Sequence, residues 1–381
     1  MAAILQREET LDPAFVPSKL PHRETELTLL TRRFRESLTK GVPFHQLVTG
    51  TVGSGKTALV RRLGADLERA GRLGPATVKM AYVNCWRRAS DRTVVLDLLR
   101  AVGVSLPDRG YSLSEMLDVF EQGIRKQPRH LLVVLDEATA LVRQETKLFY
   151  LLTRSQEDGL GSNSLVPVAT EDLLPYLDAP SRSSFGVTHR LSLAPYDRAA
   201  LTDILLARAE LALRAGSYDR ETLDQIARIA APSGDARFAL EVLSSAAHLA
   251  DAAGASEIGS EHVRAAKGSI YPTLTESHLE DLTTNDLTVL LALSRTLRGH
   301  AAVTSQKLRS EHAALLEGLG ASPLSRTTFW RTLKELEREG LLNLESARSG
   351  ESAQVSMDEL PASLLTTLVE ERLGHRAAQK P

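Results

Sequence analysis

Hydrophobic positions recur along this chain with two different periods, and the change between them divides it. From residue 23 to residue 193, short apolar runs alternate with stretches of helical spacing. A helix is expected over 23–38, where Leu27, Leu30, Phe34 and Leu38 share one face. Strands are expected over 46–49, 76–84, 131–135, 164–170 and 191–193, and helices after residue 57 and over 94–102, 113–125 and 147–154. Residues 131–135, Leu-Leu-Val-Val-Leu, are apolar on both faces, as a strand buried on both sides requires. Strands alternating with helices predict an α/β layer built on a parallel sheet with helices on both faces. From 197 to 272 the strand signal disappears, and helical patterns over 199–214, 220–229, 235–252 and 260–267 predict a small all-helical domain. Helices over 283–297, 311–319 and 325–339 follow, with a polar stretch over 303–308. Residues 341–347 and 353–357 then frame Arg348-Ser-Gly-Glu351 as a hairpin, and three helices with a hairpin make a winged helix–turn–helix. The expected domains are 1–193, 194–275 and 276–381. Residues 1–22 are polar with prolines at 13, 17 and 21, and read as an extended linker.

Composition narrows the class. A chain of 381 residues exceeds one ordinary core, in agreement with two or three domains. Aromatic residues are only 4 %, so no extended base-stacking surface is expected. A single cysteine, Cys85, excludes an internal disulfide and a cysteine metal cluster, and the ten histidines show no ligand spacing. No apolar run approaches the ~18 residues of a membrane span, and no signal-peptide core opens the chain. The expected setting is the cytoplasm, with no membrane. A net charge of −2 means that any attraction to nucleic acid is local.

Chemistry concentrates at residues 50–57, Gly-Thr-Val-Gly-Ser-Gly-Lys-Thr, which fill the pattern Gly-x4-Gly-Lys-[Ser/Thr]. A strand precedes them and a helix follows, the context that separates a phosphate-binding loop from a glycine-rich turn with a chance lysine. Glycines turn successive N–H groups toward phosphate oxygens, and the helix points its positive end at them. Lys56 is expected to reach the β- and γ-phosphates, and the Thr57 hydroxyl to sit on Mg²⁺. About 80 residues later the apolar strand ends in Asp136-Glu137. Asp136 is expected to hold Mg²⁺ through water, and Glu137 to orient or deprotonate the attacking water. Arg237, in the first turn of a helix opening at Ser233-Gly-Asp-Ala, is a further candidate for the γ-phosphate.

With these stretches in order, the chain resembles the archaeal origin-recognition and cell-division-control family of replication initiators, within the AAA+ ATPases. The resemblance rests on Phe15-Val-Pro-Ser-Lys-Leu-Pro-His-Arg-Glu24, the loop at 50–57, Tyr82-Val-Asn-Cys85 and Val104 to Arg109-Gly110. It continues through Leu135-Asp-Glu137, Leu151-Leu-Thr-Arg154, Ala194-Pro-Tyr196, Gly234-Asp-Ala-Arg237 and Glu261-His-Val263. It implies an AAA+ P-loop base, an all-α lid and a C-terminal winged helix. It also implies ATP or ADP with Mg²⁺, slow hydrolysis used as a switch, and duplex origin DNA as partner. Gly50, Gly53, Ser54, Gly55, Lys56, Thr57 and Ala58 match the phosphate-binding turn. Val16 and Arg23 fall where the family's N-terminal segment closes over the adenine. Tyr196 and Arg208 match nucleotide contacts from the small domain, and Arg237 matches the second sensor. Loading of the replicative helicase, and association with other initiator copies, are implied in the same way.

Three departures stand out. Where the family has a polar Ser-Asn or Thr-Asn as first sensor, this chain has Thr170-Glu171. Either Thr170 substitutes with Glu171 turned away, or a carboxylate stands beside phosphate and slows hydrolysis. The family's Leu-Asp-Pro-Arg run reads Leu177-Asp-Ala-Pro180 here, and Arg182 lies two places on, so stimulation by a neighbouring subunit is in question. The wing turn holds one base, Arg348, and one acid, Glu351. On the recognition-helix candidate, Arg326, Arg331 and Lys334 are the expected DNA contacts, joined by Arg348. A second basic cluster, Arg87-Arg88 with Arg92, falls where such initiators carry an extra DNA-contacting helix. Over 281–381 there are twelve Lys and Arg against thirteen Asp and Glu, so binding through phosphates rests on few residues. Two rivals remain: a nucleotide-controlled regulator that binds no DNA, and a low-hydrolysis paralogue acting as partner of an active initiator.

Overall fold

The computed structural model describes residues 3–40, 43–71, 77–88, 90–107, 109–125, 129–143, 148–154, 163–185, 189–270, 279, 282–345, 352–358 and 360–378. The chain falls into two compact units, one of residues 14–200 with 233–236, the other of residues 1–13, 201–232 and 237–381.

The first unit is a five-stranded parallel sheet with helices on both faces. Its elements are α1 (Glu24–Lys40), β1 (Leu47–Gly50), α2 (Lys56–Gly71), β2 (Thr77–Asn84), α3 (Asp91–Ala101), α4 (Leu113–Arg125) and β3 (Arg129–Asp136). They continue with α5 (Thr139–Val142), α6 (Leu148–Arg154), β4 (Asn163–Ala169), α7 (Ala179–Ser184) and β5 (Arg190–Leu193). The strand order is β2-β3-β4-β1-β5. Alternation along β3 shows why the run is wholly apolar: Leu131, Val133 and Leu135 pack with α3 and α4, whereas Leu132 and Val134 pack with α1 and α2. Both faces are dry, so neither has a polar position to spare. The register sets the site, because Asn84 on β2 lies level with Asp136 on β3.

The second unit opens with four helices, α8 (Arg198–Ala212), α9 (Arg220–Ala230), α10 (Ala236–Ala252) and α11 (Ser260–Ile270). The winged helix follows: α12 (Thr284–Thr296), β6 (Val303–Thr304), α13 (Ser305–Gly318), α14 (Arg326–Arg338), β7 (Asn343–Glu345), β8 (Gln354–Ser356) and α15 (Ala362–Ala378). Caps explain the helix starts. Thr283 and Asp286 close a reciprocal capping box on α12, Thr304 accepts from the Lys307 amide, and Ser325 accepts from the Thr328 amide. The three strands form an antiparallel sheet ordered β6-β8-β7.

The sequence reading needs three corrections. The polar stretch 303–308 contains the start of α13, six residues before the expected helix, because Thr304 is its N-cap. The helix α15 was not expected; its Leu365 and Val369 complete the winged-helix core. Residues 1–22 are not simply an extended linker. Residues 8–10 form a 3-10 turn, Ile4 and Leu11 are buried, and the amides of Ile4 and Leu5 donate to the Asp251 carboxylate at 2.7 and 3.1 Å.

A buried polar network joins α11 to the winged helix. Arg264, fully buried, donates to the carbonyls of Met357 at 2.8 Å, of Leu297 and of His300, and to Glu261 Oε1 at 2.6 Å. Burial pulls the Arg264 pKa down, and the carboxylates of Glu261 and Asp358 push it back. Glu261 Oε2 in turn accepts from the Ala362 amide at the start of α15. Beside it, Asp358 accepts from Arg228 at 3.0 Å and from Asn343. Among the described residues, no helix is long and apolar enough to cross a membrane.

Candidate functional site

The turn between β1 and α2 has the backbone that its glycines suggested. Gly53 and Gly55 hold φ of 71° and 90°, a left-handed region that side chains resist. Neither has room for one. A Cβ on Gly53 would overlap the Asp235 carboxylate, and one on Gly55 would stand 2.4 Å from the Tyr196 hydroxyl. The Ala236 amide donates to the Gly53 carbonyl at 3.2 Å, so residues 233–236 brace the loop. Ser54 is buried and donates to the Thr51 carbonyl, and Lys56 Nζ donates to the carbonyls of Gly50 and Thr51 at 2.8 and 2.7 Å. Ala58 follows in the first turn of α2.

Asp136, at the end of β3 and buried, collects three hydrogen bonds. Thr57 Oγ1 donates to its Oδ2 at 2.8 Å, Tyr82 donates to the same oxygen at 2.6 Å, and the Glu137 amide donates to Oδ1 at 3.0 Å. Burial first, then the bond to Asp136, pushes the Tyr82 phenol up to about 12. Burial, with the charges of Asp136 and Glu137, pushes the neighbouring Cys85 thiol to about 12 as well, so it stays protonated and inert. Glu137 holds φ of 54°, a left-handed conformation uncommon outside glycine. Its carboxylate accepts no hydrogen bond from the described residues. Backbone strain beside an unengaged carboxylate is an arrangement that active sites retain.

The residues fit a nucleotide with Mg²⁺. Among the described residues no group of three His, Cys, Asp or Glu gathers to cage an ion by itself. Thr57 and Asp136 offer two oxygen positions, which suits a cation that completes its octahedron with phosphate and water.

The remaining expected residues have other neighbours. Arg23 is buried, stacks 4.2 Å over the Tyr196 ring, and donates to the Ser54 carbonyl at 2.9 Å and to that of Ala194. It thereby supports the loop from behind. Val16 is half-buried, seven residues before it. Arg208 is buried in the second unit and donates to the Thr10 carbonyl; burial lowers its pKa to about 10. Arg237 is exposed in the first turn of α10. Glu171 answers the question raised by its position: its Oε1 accepts from Arg143, just after α5, at 2.8 Å. Arg182 is exposed on α7.

On α14, Phe329, Leu333 and Leu336 pack inward, and the opposite face carries Arg326, Trp330, Arg331, Lys334 and Arg338 in the open. Lys334 is paired with Glu337 at 2.8 Å, whereas Arg326 and Arg331 have no side-chain partner among the described residues. Arg348 and its turn lie outside the described residues. Of the second basic cluster, Arg88 is paired with Asp97 at 3.0 Å and Arg92 donates to the Tyr111 carbonyl. Sequence reasoning did not single out Tyr82, bonded to Asp136, Asp235, packed against Gly53, or Trp330, exposed on α14. For Trp330 a signal existed, since it lies four residues from both Arg326 and Lys334.

Known proteins resemble this arrangement along its whole length. Residues 45–175 match the AAA domain family, 202–268 the Cdc6 AAA+ ATPase-type lid domain, and 277–366 the CDC6 C-terminal winged helix domain. ORC1-type DNA replication protein 1 of Aeropyrum pernix is 30 % identical over 366 residues, covering 93 % of this chain and 92 % of that protein. The crystal structure of Cdc6p from Pyrobaculum aerophilum superimposes with a TM-score of 0.85 at 25 % identity, over 98 % of this chain and 100 % of that one. The Aeropyrum pernix ORC1 protein in complex with DNA gives 0.65 at 27 % identity, over 97 % and 98 %. With a shared AAA+ base, helical lid and winged helix, and a relative of that identity spanning nearly the full length, this chain belongs to the ORC1/Cdc6-type DNA replication initiator family.

Proposed function

We propose that this chain is an ATP-controlled initiator that binds duplex DNA at a replication origin and hydrolyses ATP slowly. The observation that carries the nucleotide half is the 2.8 Å bond from Thr57 to Asp136, which joins the P-loop hydroxyl and the acidic strand end at one point. Thr57 and Asp136 would hold Mg²⁺ there, and when bound it would supply charge neutralisation on the phosphates. The loop amides cradle phosphate oxygens. Lys56 exchanges the carbonyls of Gly50 and Thr51 for the β- and γ-phosphates. Glu137 takes the proton of the attacking water, a task for which an unengaged carboxylate suits. Arg237 reads the terminal phosphate, and Arg208, Tyr196, Val16 and Arg23 complete the nucleotide environment as the family resemblance implies.

For DNA, the reading rests on the exposed face of α14, where Arg326 and Arg331 are unpaired among the described residues and Lys334 stands beside them paired with Glu337. A relative solved with DNA supports it. Arg348 is proposed as the wing contact on its sequence position alone. Helicase loading, association with further initiator copies and a nucleoid-associated, cytoplasmic setting rest on the family. One observation favours the regulator that binds no DNA: Lys334 is neutralised by Glu337, in a domain that is already near neutral. Footprinting on chromosomal fragments with ATP, with ADP and without nucleotide separates the readings. Protection of a defined site that changes with nucleotide is expected; no protection at low salt removes the DNA half of the proposal.

A further inference from the structure

Tyr82 belongs to the run Tyr82-Val-Asn-Cys85, which the nucleotide site as described leaves without a task. In the sheet register Tyr82 lies level with Val134, and Asn84 with Asp136, so Tyr82 and Asp136 emerge on the same face, two positions apart along the strands. That face is the one covered by α2. The tyrosine ring lies under α2, with the Arg61 guanidinium 4.2 Å above its centre. Arg61 stands four residues, one helical turn, beyond Thr57. The phenol therefore reaches the carboxylate that Thr57 also reaches, and its 2.6 Å contact with Oδ2 is in the short range of a charge-assisted O–H···O⁻ bond.

A carboxylate has about four lone-pair directions. At Asp136, three are taken: two on Oδ2 by Thr57 and Tyr82, one on Oδ1 by the Glu137 amide. Rotation of the carboxylate would break all three at once. One acceptor direction remains, on Oδ1. We infer that Tyr82 is a positioning residue for the cation half of the nucleotide site: its hydroxyl, steadied by Arg61, fixes the Asp136 carboxylate so that the remaining lone pair faces one place. The inference rests on the proposed nucleotide site and adds a residue to it. It predicts that Tyr82 matters for the response to Mg²⁺ and not for the grip on the nucleotide itself.

Tyr82→Phe removes the hydroxyl and keeps the ring beneath Arg61. The full chain is titrated with a fluorescent ADP analogue in EDTA, and then with Mg²⁺ at fixed nucleotide. Metal-free nucleotide affinity should stay within about twofold of wild type, while the Mg²⁺ concentration giving half of the binding enhancement rises about tenfold. In an Asp136→Asn background, adding Tyr82→Phe should shift that midpoint by less than twofold, since the residue through which it acts is already altered. Arg61→Met, which leaves the hydroxyl and frees the ring, should raise the midpoint about threefold and provides an independent arm should Tyr82→Phe fold poorly. An unchanged Mg²⁺ midpoint in Tyr82→Phe overturns the inference, as does a tenfold shift that persists with Asp136→Asn. Failure of the wild-type chain to bind the nucleotide at all would instead remove the nucleotide site, and the inference with it.

Discussion

Arg264 offers the sharpest test of how this chain is held together. Its guanidinium is fully buried between α11 and the winged helix and serves four acceptors: the carbonyls of Met357, Leu297 and His300 and the carboxylate of Glu261. Arg264→Met keeps much of the volume and removes every donor. Breaking a buried ion pair by deleting one partner costs roughly 3–5 kcal/mol, because the other charge is left uncompensated. Glu261 is one-third exposed and keeps its bond from the Ala362 amide, so its residual charge is partly hydrated and the low end applies. The stranded carbonyls cost about 1 kcal/mol more where water does not replace the guanidinium. A loss of about 3–4 kcal/mol in the lid and winged-helix unit follows. For a unit of this size that corresponds to a fall of roughly 6–15 °C in its melting temperature. The assay is urea or thermal unfolding of the full chain followed by far-UV circular dichroism. Glu261→Gln, which retains an acceptor for Ala362, should recover about 1 kcal/mol when combined with Arg264→Met, since no lone charge then remains. A loss below about 1 kcal/mol in the single variant, or no recovery in the double, refutes the argument that this network carries the junction.

Glu137→Gln should keep ATP binding within about threefold and lower turnover about a hundredfold or more, read by phosphate release; unchanged turnover takes the base role from Glu137. Gly55→Ala sets a methyl 2.4 Å from the Tyr196 hydroxyl at φ of 90°, adding about 1–2 kcal/mol of backbone strain, and should weaken nucleotide binding at least tenfold by calorimetry. His45 and His130 are buried, and desolvation lowers both pKa values to about 4. Below about pH 6.5 the unfolded chain takes up protons that the folded histidines refuse, so stability falls with pH by about 1.4 kcal/mol per unit per histidine down to about pH 4. Urea midpoints measured from pH 7 to 5 check this, and His130→Gln should remove one histidine's share of the slope, about 1.4 kcal/mol per pH unit. For DNA, Arg331→Ala should weaken binding on all sequences and flatten the salt dependence of log K by about 0.9, and an unaltered slope would exclude a phosphate contact.

The sheet was legible because its strands are buried on both faces and hence wholly apolar, as Leu131–Leu135 show. Parallel pairing between runs so separated in sequence could not be read as register, and register is what brings Tyr82 to Asp136. The P-loop was legible because a backbone requirement, left-handed φ at Gly53 and Gly55, is written as glycine. Its braces were not, since Asp235 and Arg23 act through space and lie 182 residues after and 30 residues before Gly53. The start of α13 was lost because Thr304 and Ser305 read as loop until the cap bond to the Lys307 amide is seen. The stripe of α15 was legible and was overlooked, since Leu365, Leu368, Val369 and Leu373 recur at helical spacing, while Thr366 between them satisfies its hydroxyl on Ser294 and the Ala362 carbonyl. A threonine satisfied in this way is compatible with burial, although the pattern counts it as polar.

The position of Glu171 decides how the departure from the family pattern should be weighed. In the proposed function, Glu171 near the end of β4 would add a third carboxylate to a region where Asp136 and Glu137 already have to tolerate a polyphosphate. Two unit charges of like sign at 4 Å cost about 1 kcal/mol in water and several times more near a protein surface. Arg143 meets that charge locally at 2.8 Å, and the pair as a whole is neutral. Glu171 also raises the Arg143 pKa, so the cation stays charged wherever the carboxylate does. The repulsion that would have argued for a crippled ATPase is therefore cancelled at short range, and the case for slow turnover has to rest elsewhere. In the proposed function that case comes down to Glu137, the carboxylate next to Asp136, and the turnover of Glu137→Gln tests it.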